Sequence, residues 1–252
     1  MTNNLRAFNG AMALLHLLQG VLILLLASDF SFPLSTTFLV FDDSVERLVP
    51  QMKEIGDVPL APLLAAFVFV SAAAHTLTVL PGVYPWYLRN LGRGINYQRW
   101  HEYAISASIM IVAIALLVGI YDLPSLILLF AVNAGMIYCG LLMELHNQTT
   151  ERTNWSAFIV GCLLGAVPWV VISLYLFAPA TRSISDVPTF VYGIYVSLFI
   201  WFNLFAVNMF LQYRKVGPWR DYVFGEKAYI VLSLTAKSAL AWQVFAGTLR
   251  DV

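Results

Sequence analysis

The sequence predicts an all-α membrane protein built from seven transmembrane helices. Three observations carry that prediction. Of the 252 residues, 60% are hydrophobic and the mean hydropathy is +0.77. Only 11% are charged, where soluble domains carry about a quarter. The apolar residues also fall into seven runs, each long enough to cross a bilayer as a helix of ~20 residues. Lys+Arg and Asp+Glu both number 14, so the net charge is zero. That balance excludes a nucleic-acid binder working through a basic surface. The hydropathy excludes a soluble enzyme and a disordered chain. The two cysteines, Cys139 and Cys162, lie in apolar runs, which excludes a disulfide scaffold and a multi-cysteine metal site.

The first run spans Phe8 to Ala27. Arg6 ahead of it is the usual start of a signal peptide. The run is long, however, carries His16 and Gln19 in its middle, and shows no small-residue cleavage site. A retained helix is expected. The second run, Leu60 to Leu80, is entered through Pro59 and Pro62. The third, Ile95 to Ile120, follows the breaker Gly92-Arg93-Gly94. Only Tyr121 to Leu123 separate it from the fourth, Pro124 to Leu145, so these two are antiparallel neighbours. The fifth is Trp155 to Phe177, the sixth Pro188 to Tyr213, and the seventh Lys227 to Leu249. As helices, all seven satisfy their own backbone in lipid. The long connection, Ser28 to Pro59, carries a β-branched and aromatic stretch from Phe32 to Phe41, then Asp42-Asp43-Ser44. That pattern reads as a strand or hairpin, with an irregular surface loop as the alternative. No internal repeat or linker is visible, and residues 1–252 are read as one domain.

Lys and Arg beside the spans give the orientation. With the N-terminus cytoplasmic, the inner set is Arg6, Arg89, Arg93, Arg99, Arg152, Arg214, Lys215, Arg220 and Lys227. The outer set is Arg47, Lys53, Arg182 and Arg250. Nine against four favours this orientation in the cell membrane, and an odd span count puts the C-terminus outside. Arg89, Arg93, Arg214, Lys215 and Arg220 are read as topology-setting charge, with lipid headgroups or a soluble partner as other uses. Nothing in the inner loops resembles an enzyme motif.

One lysine, Lys237, lies near the middle of the seventh run, in Ser233-Leu234-Thr235-Ala236-Lys237-Ser238. At ~10 residues from each end it is too deep to snorkel easily. A charge at that depth costs at least a few kcal/mol. It needs a counter-charge, a water cavity or a covalent partner, and a desolvated amine is suited to Schiff-base chemistry. The third run supplies a candidate anion in Arg99-Trp100-His101-Glu102-Tyr103-Ala104-Ile105-Ser106. Arg99, Glu102 and Ser106 share one helix face. Taken alone, Glu102 could equally pair with Arg99 at the interface; the need of Lys237 favours Glu102 as its partner. Glu144 is expected at headgroup level beside His146. His16 shares a face with Gln19, and Ser71 with His75. All four are expected to face the bundle, because polar groups are costly in lipid. Two histidines are too few for a metal site. Trp201, Phe202, Phe205 and Trp242, with Asn133, Met136 and Ile137 on the fourth run, lie near the depth of Lys237, where a long flat apolar ligand would sit.

Seven spans, a lysine in the seventh and Arg-x-x-Glu on the third resemble a retinal-binding rhodopsin. Within that superfamily the chain is similar to the heliorhodopsins, a family of inverted topology. The resemblance runs along essentially the whole sequence. It is most specific in Arg99 to Ser106 and in Ser233 to Gln243. The resemblance implies all-trans retinal as a protonated Schiff base on Lys237, with Glu102 as its single carboxylate counterion. Rhodopsin pumps carry a second carboxylate four residues before the lysine, and here Ser233 holds that position. His16 and His75 match the family's polar pocket, where a released proton could be held. Tyr103, Asn133, Met136, Ile137, Phe202 and Trp242 would line the chromophore, with Ser106 beside the counterion. The long first loop would form a short two-stranded sheet used in a homodimer. The implied function is a light sensor, not an enzyme, acting within membrane lipids and through a signalling partner. A light-driven or light-gated ion transporter is the alternative. A pump of this architecture needs a proton-donating carboxylate three turns beyond the counterion, where this chain has Met110, Ala113 and Leu116.

Tags on the two termini should lie on opposite sides of the membrane, the C-terminal one reachable by protease in intact cells. Cleavage of an N-terminal tag there would overturn the orientation.

Overall fold

A computed structural model describes residues 2–177 and 188–249. Arg182 and Arg250, two of the bases expected on the outer side, lie outside the described residues. The chain forms α1 (Thr2–Leu26), β1 (Ser31–Asp42), β2 (Arg47–Pro59), α2 (Leu60–Val79), α3 (Val83–Gly92) and α4 (Tyr97–Leu117). There follow α5 (Leu123–His146), α6 (Ser156–Phe177), α7 (Thr189–Arg214) and α8 (Tyr222–Val244), the last extended by a π turn to Leu249. Seven of these helices, all but α3, are long and apolar enough to cross a membrane. The protein is multi-pass, and its exposed leucines, such as Leu14, Leu25, Leu128 and Leu163, suit a lipid surround.

Local chemistry sets the helix starts. Asn96 caps α4 by accepting from the Arg99 N–H at 3.1 Å. Asp122 caps α5 by accepting from the Ser125 N–H at 3.0 Å, with Pro124 in the first turn. Asp221 caps α8 by accepting from the Val223 N–H at 2.9 Å. This last cap starts the seventh span at Tyr222 rather than at the expected Lys227, and so draws Glu226 into the helix. The segment before Gly92-Arg93-Gly94, expected to be loop, contains the short helix α3. Its Tyr84, Tyr87 and Leu91 pack on Leu5 of α1. Gly94, at φ +72°, then makes the left-handed turn that glycine permits without strain.

The first loop is a hairpin, and a long one. β1 and β2 pair antiparallel from Ser31↔Pro59 to Asp42↔Arg47, with one bulge between Leu34 and Ser35. The expected two-stranded sheet is present, with strands of 12 and 13 residues. Pairing continues because each strand supplies the backbone partners that the other lacks. At the base, the Ser35 N–H donates to the Tyr121 carbonyl at 2.9 Å, and the Leu60 N–H to the Phe30 carbonyl at 2.9 Å. Phe32 also stacks on Tyr121 with ring centroids 5.7 Å apart.

The core runs through the half of the bundle next to the hairpin. Ile23, Phe67, Met110, Ile114, Ile172, Leu198 and Leu240 belong to one buried cluster. α4 is the most enclosed span, with 67% of its apolar window buried against 17–44% for the other spans. This most enclosed span is the helix that carries Arg99 and Glu102.

Candidate functional site

Lys237 is 3% exposed, on the inward face of α8 with Ser233, Ala236 and Leu240. Its ammonium donates to Glu102 Oε1 at 2.7 Å and to Ser233 Oγ at 2.8 Å. The same Glu102 oxygen accepts from Ser71 Oγ at 2.6 Å. α2, α4 and α8 thus converge on one carboxylate. Lys237 Nζ also stands 5.0 Å from the centre of the Tyr103 ring, close enough for cation–π attraction. Tyr103 is fixed by its own hydroxyl, which donates to the Tyr229 carbonyl at 2.9 Å. Ser106, one turn beyond Glu102, is fully buried. Charge, hydrogen bond and ring face together stabilise a cation that could not otherwise remain at this depth.

His16 and His75 stack with ring centroids 5.8 Å apart and planes 8° from parallel. Asn9 donates through Nδ2 to the Leu5 carbonyl at 2.8 Å, which leaves its Oδ1 as acceptor for His75 Nδ1 at 2.7 Å. That arrangement places the His75 proton on Nδ1. His16 is fully buried, and neither of its ring nitrogens has a hydrogen-bond partner in the protein. Tyr87 of α3 lines a small polar pocket with Asn9, His75, Gln98 and Glu102. Burial pushes its phenol up to about 12, so it remains a donor at neutral pH.

A second ionic cluster lies about one turn from the first along α4. The Arg99 guanidinium forks between Glu144 of α5 and Glu226 of α8. Glu144 Oε2 accepts from the Asn96 N–H at 2.9 Å and from Trp100 Nε1 at 2.6 Å, and Oε1 from the Tyr222 hydroxyl at 2.9 Å. Asn96 Nδ2 donates to Glu226 at 2.7 Å. Arg99 lies over Tyr229, 4.0 Å from its ring centre, and over Trp100, 4.3 Å from the six- and five-membered ring system's centre. The alternative pairing of Glu102 with Arg99 is not the one formed. Arg99 pairs away from Glu102, since two other carboxylates face it. Glu144, two residues before the end of α5, is 1% exposed, because α8 begins early and covers it with Tyr222. Glu226 was missed by the sequence reading. Its signal was faint: an acid one residue ahead of an apolar run, on one face with Tyr222 and Tyr229.

Beside Lys237 lies a cavity of about 290 Å³. Of the expected lining, Tyr103, Met136, Ile137, Phe202 and Ser233 border it; Asn133 and Trp242 do not. Asn133 is instead turned to Ser108, donating to its hydroxyl at 3.0 Å, and Trp242 packs edge-on against Phe245. Trp100, Met110, Trp169 and Phe205 border the cavity as well. Gly165 gives it room, since a Cβ there would lie 3.1 Å from Met136 Cγ. A mostly apolar chamber with an amine and its counter-charge at one side fits a long apolar aldehyde such as retinal.

Comparison with known proteins agrees with this geometry. The family model described as heliorhodopsin matches residues 5–249. No curated protein sequence matches the chain. Among solved structures, the chain is similar to the transmembrane domain and linker region of a rhodopsin phosphodiesterase from Salpingoeca rosetta. The TM-score is 0.64 at 14% identity, over 96% of this chain and 70% of that one. At that identity the likeness is one of fold alone.

Arg99→Gln should destabilise the protein by about 3–5 kcal/mol, the usual result of leaving buried charges unpaired. Arg89→Gln, at an exposed site, should stay within about 0.5 kcal/mol. Thermal unfolding of the two variants in one detergent makes the comparison. Equal midpoints would mean that the Arg99 cluster is not a stabilising unit.

Proposed function

The chain belongs to the heliorhodopsin family, and from that premise we propose that it is a light-sensing photoreceptor that signals without net ion pumping. Its fold and family are those of a rhodopsin-type retinal protein. In the proposed reading, all-trans retinal is held as a protonated Schiff base on Lys237. When bound, retinal supplies visible absorption and a double bond that light can isomerise. The observation that carries the reading is the 2.7 Å pairing of Lys237 Nζ with Glu102 beside an apolar cavity. The ammonium N–H of Lys237 stands in for the N–H of the imine.

Each side chain then has a definite task. Glu102 balances the cation, and Ser71 holds its oxygen in place. Ser233, four residues before Lys237, accepts a hydrogen bond but adds no charge. Tyr103, Met136, Ile137 and Phe202 restrain the polyene. His75, through Asn9, and His16 beside it offer imidazole nitrogens that can hold a proton near Glu102. Beyond Glu102 on α4, Met110, Ala113 and Leu116 are each no more than 2% exposed. That apolar stretch offers no relay to the outer side, which supports proton release and return on one side. The N-terminus is assigned to the cytoplasm by the basic residues, and the hairpin is assigned to a homodimer. A signalling partner would receive the change of shape.

Adding all-trans retinal to the purified apoprotein should produce a visible band, and Lys237→Ala should abolish it. A band retained in that variant would remove the Schiff-base assignment. Steady photocurrents in voltage-clamped cells would overturn the non-pumping part.

Glu102→Gln should move the band to longer wavelength. An anion near the imine holds positive charge at the nitrogen in the ground state. At ~4 Å and an effective dielectric of ~20 this attraction is ~4 kcal/mol. Light moves that charge away from the nitrogen, so removing the anion narrows the gap. An unchanged spectrum in halide-free buffer would mean that Glu102 is not the counterion.

A further inference from the structure

Among the described residues, the exposed charges are segregated by end. Where α2 ends and α4 begins, Arg6, Arg89 and Arg93 are exposed. Arg152, Arg214, Lys215, Arg220 and Lys227 are exposed at the same end, against the acids Glu151 and Asp221. The hairpin end has the opposite balance, with Asp29, Asp43, Glu46, Glu54 and Asp57 exposed against Arg47 and Lys53.

α3 gives the basic end a definite centre. One face, through Tyr84, Tyr87 and Leu91, is packed on the bundle. The other presents Trp86, Arg89 and Arg93, all exposed, at spacings that share a helix face. Trp86 is 39% exposed, with its ring 6.0 Å from that of Tyr97. Neither Arg89 nor Arg93 has a side-chain hydrogen bond or ion pair among the described residues. Residues 80–82 join α3 to α2, and residues 93–96 join it to α4. These tethers reach at most about 14 Å, so α3 stays close to the headgroup layer. An indole with two guanidinium groups at that level is suited to lipid phosphate, because the ring takes the apolar boundary and the cations take the headgroups.

We propose that this end of the protein is a binding surface for anionic lipid headgroups, centred on the Trp86–Arg89–Arg93 face of α3. The site is separate from the retinal cavity and leaves its chemistry untouched. The partner is a membrane surface and not a soluble acidic protein, since the tethers confine the face to the bilayer and Trp86 would otherwise stand in water.

The test uses the full chain in phosphatidylcholine nanodiscs. A fixed fraction of either phosphatidylglycerol or phosphatidylcholine is brominated high on the acyl chain. Quenching of Trp86 is isolated by subtracting the signal of Trp86→Phe. Brominated phosphatidylglycerol should quench Trp86 more than brominated phosphatidylcholine at the same mole fraction. Each arginine should contribute about fivefold to that preference at low salt, so Arg89→Gln with Arg93→Gln should bring it close to one. Arg89→Lys with Arg93→Lys should retain it. A salt series on the unaltered protein gives an independent reading should the double glutamine variant misfold. Raising ionic strength from about 0.1 M to about 1 M shortens the Debye length from about 10 Å to about 3 Å, and the preference should fall. Equal quenching by both lipids would overturn the proposal, as would a preference that survives both charge removal and salt. Trp86 quenched by aqueous iodide but by neither lipid would also overturn it, and would assign the face to a soluble partner. The visible band with retinal is read separately, so either reading can fail alone.

Discussion

A positive charge held at bilayer depth is the constraint around which the bundle is organised. Lys237 can remain there because Glu102, Ser233 and the face of Tyr103 surround its ammonium. Glu102 in turn can remain because Lys237 and Ser71 meet it. Removing either partner leaves an uncompensated charge in a medium that cannot solvate it. Three helices therefore have to converge on one point, and their packing follows from that. α4, which supplies the acid, is the most enclosed span.

The same helix carries both ionic clusters, and this separates their roles. Arg99 lies three residues before Glu102, yet it satisfies Glu144 and Glu226 rather than its neighbour. Glu102 is thereby left to Lys237 alone among the described cations. An arginine bound to Glu102 would weaken the hold of that carboxylate on the lysine. The second cluster is thus more than an anchor between α4, α5 and α8. It keeps a competing cation engaged elsewhere.

Much of this was legible in the sequence because apolar surroundings make each charge conspicuous. Seven runs, Lys237 and Glu102 stood out for that reason, and the strand pattern between Phe32 and Phe41 announced a hairpin. What was not legible depended on where helices begin. The Asp221 cap moved the start of α8 by five residues, and with it Glu226 passed from loop to interior. The burial of Glu144 was hidden for the same reason, since its cover comes from α8. α3 escaped notice because ten residues interrupted by Pro85 give a weak periodic signal. Asn133 and Trp242 have the depth of the cavity but the wrong azimuth, and azimuth depends on helix packing that no single run encodes.

The hairpin adds a mechanical property to the molecule. Its base is clamped to the turn between α4 and α5 through Ser35, Phe32 and Tyr121, while from Thr37 to Phe41 the first strand is exposed. Strands of this length extend about 40 Å. Moving as a unit beyond the Ser35 clamp, a reach of about 23 Å, the ribbon turns a one-degree rotation into a displacement of about 0.4 Å at the Asp42–Arg47 turn. A tilt of α4 too slight to disturb its own packing would thereby be magnified at the far end of the ribbon. The ribbon would act as a pointer whose pivot rests on the turn that follows the helix carrying the buried acid.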